Sequence, residues 1–262
     1  MTNRFFATIK TQLGLARSFL TYYGIPGRFK RMRRFYSQFV QPGDLCFDIG
    51  AHLGNRIRVW LALGADVVAV EPQPQMTRWL KLLYGRNPRV HLVSAAVGAK
   101  PGQADMYISS LTPTVTTLSA AWMNQVRKEE SFSSVRWDKS IQVPVITLQD
   151  LIKEHRLPNF CKVDVEGYEY NALRGVGVAL PALSFEHVRA SSDITIACLE
   201  LLKDFGEYTY NYSRGESHQL HFPSWLTDGQ LLIELPDLPG SSGDIYARLT
   251  DRDGKGPAAH FH

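Results

Sequence analysis

The sequence predicts an α/β domain built on a mostly parallel sheet with helices on both faces, and three observations carry that prediction. The first is the stretch over residues 44–71, which reads as strand, glycine turn, helix and second strand. Leu45, Cys46, Phe47 and Ile49 form an apolar run broken only at Asp48, the pattern of a parallel strand covered on both sides. The second is the run Val67, Val68, Ala69 and Val70, which leaves Glu71 at its carboxyl end, where an acid in a βαβ unit can bond the two hydroxyls of a ribose. The third is the recurrence of short apolar strands alternating with helical spacing further along, over residues 91–93, 160–165 and 182–185.

Taken in order, residues 3–23 read as one helix, broken by Gly24, Pro26 and Gly27, and residues 28–39 as a second. Together, residues 1–41 make a basic N-terminal helical cap, closed by Pro42 and Gly43. In the βαβ unit, Ile57, Val59, Trp60, Leu61 and Leu63 suit a helix that Gly64 stops. Pro72 and Pro74 end the second strand and start a helix over residues 76–84. After the third strand come Ser94, Ala95 and Ala96.

Between residues 99 and 143 the βα rhythm stops. Residues 104–108 read as an edge strand pairing with residues 141–146, with a long Ser/Thr-rich segment between them. Structureless loops longer than about fifteen residues are usually functional or disordered, so this one reads as a lid or as a mobile surface insertion. Thr147 and Asp150 make a capping-box entry to the next helix. Asp164 and Glu166 would share a face if their strand persists that far, and Glu169 opens the following helix near its positive end. The strand over residues 182–185 is terminated by Glu186 and His187. A helix over residues 194–205 follows, stopped by Gly206. Then come strands over residues 208–212 and 244–249. The excursion over residues 206–243 offers Arg214, Glu216, His218, Phe222 and Trp225 as walls of an acceptor pocket or as an ordinary edge. Residues 42–250 thus form the main domain and residues 251–262 a flexible tail.

A chain of 262 residues with 44% hydrophobic and 21% charged content supports one α/β domain with a sizeable core. No run of eighteen apolar residues occurs, so no spanning helix is expected. Cys46, Cys161 and Cys198 lack metal-ligand spacing and read as buried hydrophobes of a reducing, cytoplasmic compartment. The net charge of +4 hides an asymmetry. Residues 1–38 hold eight Lys or Arg and no acid, leaving −4 for the rest. Three readings of this arm stay open: a solvated helical cap, a surface for an anionic acceptor, lipid or nucleic acid, and a cleaved targeting segment.

The glycine pattern narrows the ligand. Gly50 and Gly54 frame a G-x-x-x-G turn, and His52 stands where a dinucleotide fingerprint needs its second glycine, which disfavours NAD and an oxidoreductase. No phosphate-cradling P-loop run is present. An adenosine ligand without phosphate remains, and Asp48 favours a cationic group on it. S-adenosylmethionine, with its ammonium and sulfonium, fits; another doubly wound nucleotide fold is the alternative.

The stretches FDIGAHLGN, AVEPQP, AAVG, VITLQDLI and KVDVEGYEYNALRG, in that order, resemble the FkbM family of S-adenosylmethionine-dependent methyltransferases over residues 42–175. The resemblance implies a class I, Rossmann-like sheet of seven strands, the last antiparallel, and methyl transfer to an oxygen of a sugar, glycan or secondary metabolite. It places Ala95 and Ala96 beside the adenine. TTLSAAW, from Thr116 to Trp122, is similar to a family Ser-Thr-Leu-Ser element, which puts Thr117 in a lid over the donor.

The site then divides as follows. Asp48, Gly50, Ala51, His52, Gly54 and Asn55 take the methionine part, Glu71 and Pro72 the ribose side, and Gln73 the adenosine, unless Gln73 is merely a helix-entry residue. His187 is the preferred base, since its ordinary pKa is near neutral and a neighbouring carboxylate can orient it, with Asp164 or Glu166 as substitute. Asp164 and Glu166 are also hard-oxygen ligands, but two acids are too few to assign a metal. The expected partner is a small-molecule or glycan hydroxyl. Nucleic acid is disfavoured because no Asn-Pro-Pro-aromatic motif for holding a base is present. Nucleic-acid methylation through the basic arm and a non-catalytic donor-binding protein remain the alternatives.

Overall fold

The computed structural model describes residues 25–250; the helix expected over residues 3–23 and the tail over residues 251–262 lie outside the described residues. The chain opens with α1 (Arg28–Tyr36), β1 (Leu45–Ile49), α2 (Asn55–Ala62), β2 (Asp66–Val70), α3 (Pro74–Tyr84) and β3 (Val90–Val93). Next come β4 (Ala96–Val97), β5 (Gly102–Ile108), α4 (Ala120–Val126) and β6 (Lys139–Ile146). The remainder is α5 (Leu148–His155), β7 (Phe160–Val163), α6 (Glu169–Leu173), β8 (Ala182–Val188), α7 (Ser192–Lys203), β9 (Tyr208–Arg214), α8 (Asp228–Glu234) and β10 (Ser242–Leu249). Among the described residues no helix is long and apolar enough to cross a membrane.

Seven strands form one sheet in the order β3-β2-β1-β7-β8-β10-β9, parallel except for β10, which runs against both neighbours. Successive side chains leave a strand on opposite faces, and here both faces are apolar. Leu45, Phe47 and Ile49 of β1 join a core covered by α5, α6, α7 and α8. Cys46, with Val67 and Ala69 of β2, joins a second core covered by α1, α2 and α3. The chain travels outward from β1 to β3, then crosses back to β7 on the other side of β1. The carboxyl ends of β1 and β7 therefore bound a crevice at a topological switch point, where open α/β sheets bind ligands.

The insertion is more ordered than its composition suggests. β5 pairs antiparallel with β6 as expected, but the two join β4 in a separate three-stranded sheet. The Ser/Thr-rich segment between them contains α4, capped by the Ser119 side chain, which accepts from Trp122 N. Two strand ends also differ from expectation. β7 stops at Val163, so Asp164 and Glu166 leave the sheet, and Glu166 adopts a left-handed φ of 53°. β8 continues to Val188, so Glu186 and His187 lie inside it and point to opposite faces. Residues 206–243 do not line the cleft at that switch point: Glu216 bonds Arg28 and Arg56, while Trp225 packs on Phe39 and under Arg248.

Gly50, at the end of β1, has a φ of +85°, and a Cβ there would collide with the Asp164 carbonyl. Gly43 has nearly the same φ, +86°, but open space around it. Gly43→Ala should therefore cost only the left-handed strain, about 1–2 kcal/mol. Gly50→Ala should cost at least about 2 kcal/mol more, because backbone must also separate. Urea unfolding of the two variants side by side measures the difference.

Candidate functional site

A cleft opens at the switch point, between the turns that follow β1, β2 and β7. Its floor is the turn after β1, with Gly50, Ala51, His52, Asn55 and Arg56. One wall is Glu71, Pro72 and Gln73 after β2, with Ala95 and Ala96 beyond β3. The other is Asp164, Val165, Glu166 and Tyr168 after β7, and Thr116 and Leu118 of the insertion reach over the top.

The turn directs its own donors inward. Gly50 N and Ala51 N donate to Val70 O at 2.9 and 3.1 Å, and Gly54 N to Ala51 O at 2.8 Å. His52, at a φ of 46°, donates its N–H to Glu71 Oε2 at 2.8 Å. These amides cannot also cradle a phosphate, as the missing second glycine implied. Glu71 is 3% exposed, and its other oxygen, Oε1, accepts from Gln73 N at 2.8 Å. Each oxygen retains a lone pair for a hydroxyl donor. Burial pushes the Glu71 carboxyl up to about 7, against the pull of the two amides. Burial likewise holds the His52 imidazole down at about 4, so it is neutral.

Gln73 has a role that a helix-entry position does not predict. Its Nε2 donates to Pro113 O at 3.2 Å and its Oε1 accepts from Thr116 Oγ1 at 3.2 Å, so it clasps the insertion to the end of β2. Thr117 stands just behind the cleft. Its hydroxyl donates to Glu166 O at 2.6 Å, fixing the left-handed turn after β7. A Cβ at Gly167 would collide with the buried Trp122 ring, so the insertion and that turn are fitted to each other. Asp48 and Gly54 do not line the cleft either. Gly54 has a φ of +75° and lies against Tyr84 and Leu80, shaping the turn. Asp48 is buried beneath it, its Oδ2 lacks a hydrogen bond, and burial raises its pKa to about 6.

The acids after β7 gain a third member. One oxygen each from Asp164, Glu166 and Glu186 lie within 4.8 Å of one another, a spacing that also suits a hard cation. Beneath them sits Lys162, 1% exposed, with Nζ 2.8 Å from Asp164 Oδ2 and 3.2 Å from Asp244 Oδ1. Burial opposes the ammonium, but the two carboxylates outweigh it and keep it charged. Asp164 is in turn held below the usual carboxylate range: burial raises its pKa, and Lys162, then Arg56, overcome that. Glu166 and Glu186 are pushed well above that range by burial, then by the neighbouring carboxylates.

His187 is not part of this group. It is 2% exposed, on the face of β8 opposite Glu186, and its Nδ1 is hydrogen-bonded with Thr195 Oγ1 at 2.9 Å. Burial, aided by Arg189, lowers its pKa to about 4. Glu169, expected among the site acids, is also inward: its Oε1 accepts from Val165 N and Gly167 N and holds the turn. Sequence reasoning passed over Lys162, Asp244 and Glu186. The period of two along a strand pairs Lys162 with Asp164 and sets Glu186 opposite His187, so that signal was present.

A sheet in this order with one reversed strand, and a cleft at its switch point, is the architecture of class I, Rossmann-like methyltransferases. Residues 48–208 match the family described as the methyltransferase FkbM domain, and the chain belongs to that family. No curated protein matches it. Among solved structures, an FkbM methyltransferase from Methylobacillus flagellatus KT is 15% identical, with a TM-score of 0.46, covering 82% of this chain and 50% of that one. The chain thus spans about half the length of that relative. A TehB-like SAM-dependent methyltransferase from Corynebacterium glutamicum is 14% identical, covering 84% and 88% of the two chains with a TM-score of 0.42. An rRNA methylase from Streptococcus thermophilus is 10% identical, covering 84% and 94%, also at 0.42.

Lys162→Met should leave Asp164 and Asp244 as buried charges without their cation. The expected loss is about 3 kcal/mol, the low end for a broken buried pair because the Asp164 side chain keeps 26% exposure. Without Lys162 the native carboxylates bind protons more tightly than the unfolded chain does. The penalty is therefore largest at neutral pH and shrinks as the pH falls toward the carboxylate range. Urea denaturation at both pH values tests the sign.

Proposed function

We propose that this protein transfers a methyl group from S-adenosylmethionine to a hydroxyl of a sugar, glycan or secondary metabolite. The observation that carries the reading is Glu71, a carboxylate oriented by two backbone amides at the rim of a cleft whose glycine turn has its amides engaged. That arrangement suits a ribose and is unsuited to a phosphate. Other features fit the rest of the donor. Asn55 Nδ2, buried in the cleft wall, has no hydrogen-bond partner and matches an amino-acid carboxylate. Ala95 and Ala96 leave room for a flat ring, and the acids after β7 suit a cation.

When bound, S-adenosylmethionine supplies a sulfonium methyl group open to in-line attack. The chain aligns the acceptor oxygen, excludes water and takes a proton. Asp164, kept ionised by Lys162, accepts a hydrogen bond from the acceptor and orients it. Glu166, which faces the cleft and whose proton affinity its neighbours raise, takes the hydroxyl proton when ionised, the form that gains population as the pH rises. His187 is replaced in this role because its ring is turned away and partnered. A hard cation held by Asp164, Glu166 and Glu186 is not part of this reading. A hydroxyl acceptor is preferred over nucleic acid because no Asn-Pro-Pro-aromatic motif for holding a base is present.

Two measurements test this reading. Calorimetry should show S-adenosylmethionine binding that strengthens as pH rises through about 7, as Glu71 ionises. Glu71→Gln sets an amide against one of the two backbone donors. It should weaken binding by about 10- to 100-fold and abolish the pH dependence. For the chemical step, kcat should rise with pH along a limb above the ordinary carboxylate range. Glu166→Gln should remove that limb and lower kcat by roughly 10²–10⁴ with donor affinity intact. His187→Asn should leave the limb in place; its loss there would return the base to His187.

A further inference from the structure

We propose that the solvent-facing side of α1 is a docking surface for an anionic lipid bilayer. The helix is two-sided and cannot turn. Met32, Phe35 and Tyr36 are buried in the core beside α2, so the opposite side is held outward. That side carries Lys30, Arg31, Arg33 and Arg34, all exposed. Among the described residues none of the four forms a salt bridge.

Two of the four cations are placed against the helix's own electrostatics, while Arg33 and Arg34 lie in the last turn, which favours them. Lys30 and Arg31 stand in the first turn, where the partial positive charge of the helix end disfavours them, and that turn contains no acid. An anionic surface lying alongside offsets the repulsion. The charge is also segregated, since residues 1–38 hold eight cations and no acid while the rest of the chain is net negative.

Lipid is favoured over nucleic acid by what accompanies these cations. Ile25, just ahead of the helix, is 48% exposed. The sequence before it sets Phe5, Phe6, Phe19, Tyr22 and Tyr23 among Arg4, Lys10 and Arg17, the composition of a segment that binds at a membrane interface. The rings of α1 are not open for base stacking: Phe35 and Tyr36 face inward, and Phe29 lies 4.6 Å beneath the Arg58 guanidinium. Docking here would also orient the enzyme. Arg28 of α1 and Arg56 of the cleft floor share Glu216, at 2.8 and 3.0 Å, so helix and cleft are braced together.

The test uses the full chain and sedimentation with vesicles of phosphatidylcholine alone or mixed with phosphatidylglycerol. Expected is binding to the mixed vesicles only, weakening as salt is raised. Each Lys or Arg near an anionic surface contributes roughly fivefold, so replacing all four exposed cations by Gln should lower partitioning by more than about a hundredfold. Unchanged donor binding in the same variant establishes that it is folded; should it fail to fold, single Lys30→Gln and Arg34→Gln variants should each lose a few-fold. Equal binding to neutral vesicles, no binding at low salt, or variants that bind as well as the parent would overturn the proposal. So would displacement from mixed vesicles by RNA at equal phosphate concentration, which would assign the surface to nucleic acid.

Discussion

The structure depends on how closely two strand ends approach. Gly50 leaves β1 in a left-handed conformation, and no side chain can fit between it and the Asp164 carbonyl. Because the gap is closed, the backbone of the first turn and that of the turn after β7 form one continuous floor. Every group assigned a role in the cleft is measured from that floor. Glu71 reaches it through the His52 amide, and the acids after β7 begin on the very residue whose carbonyl meets the glycine. A wider junction would separate the ribose acid from the acid cluster.

The floor is underlain by charge. Two groups of ion pairs, Lys162 with Asp164 and Asp244, and Glu216 with Arg56 and Arg28, lie between the cleft and the N-terminal helix, and Arg56 acts on Asp164 through space. Buried pairs of this kind seldom add much net stability, because the desolvation of each ion consumes most of the attraction. Their effect is on protonation. With Lys162 committed to Asp164 and Asp244, one acid of the cluster stays ionised while Glu166 and Glu186 are driven to hold protons. Three chemically similar side chains thereby become unequal, which an acid–base site requires.

Much of this architecture was legible in the sequence, because its strands are covered on both faces and announce themselves as unbroken apolar runs. The first βαβ unit and the capping box at Thr147 and Asp150 follow from local pattern, while the reversed last strand is what the family resemblance implied. Strand ends were less legible. β7 stops before Asp164 because Glu166 must turn left-handed, and the bond that holds that turn comes from Thr117, forty-nine residues away in the chain. The order within the insertion was illegible for a related reason. Its order comes from fitting Trp122 under Gly167 and Thr116 to Gln73, contacts between distant segments that composition does not record. His187 was chosen on residue type, yet β8 runs past it, and alternation turns it toward Thr195 and away from the acids.

Gln73 spends its backbone and its side chain on different tasks. The amide nitrogen steadies the carboxylate meant for the sugar, while the carboxamide ties down the covering segment. On the proposed reading, lifting that cover to exchange the nucleoside would disturb the residue that steadies the sugar-binding acid. Ingress and egress share a latch, and a molecule that holds the sugar acid well also keeps its own exit shut.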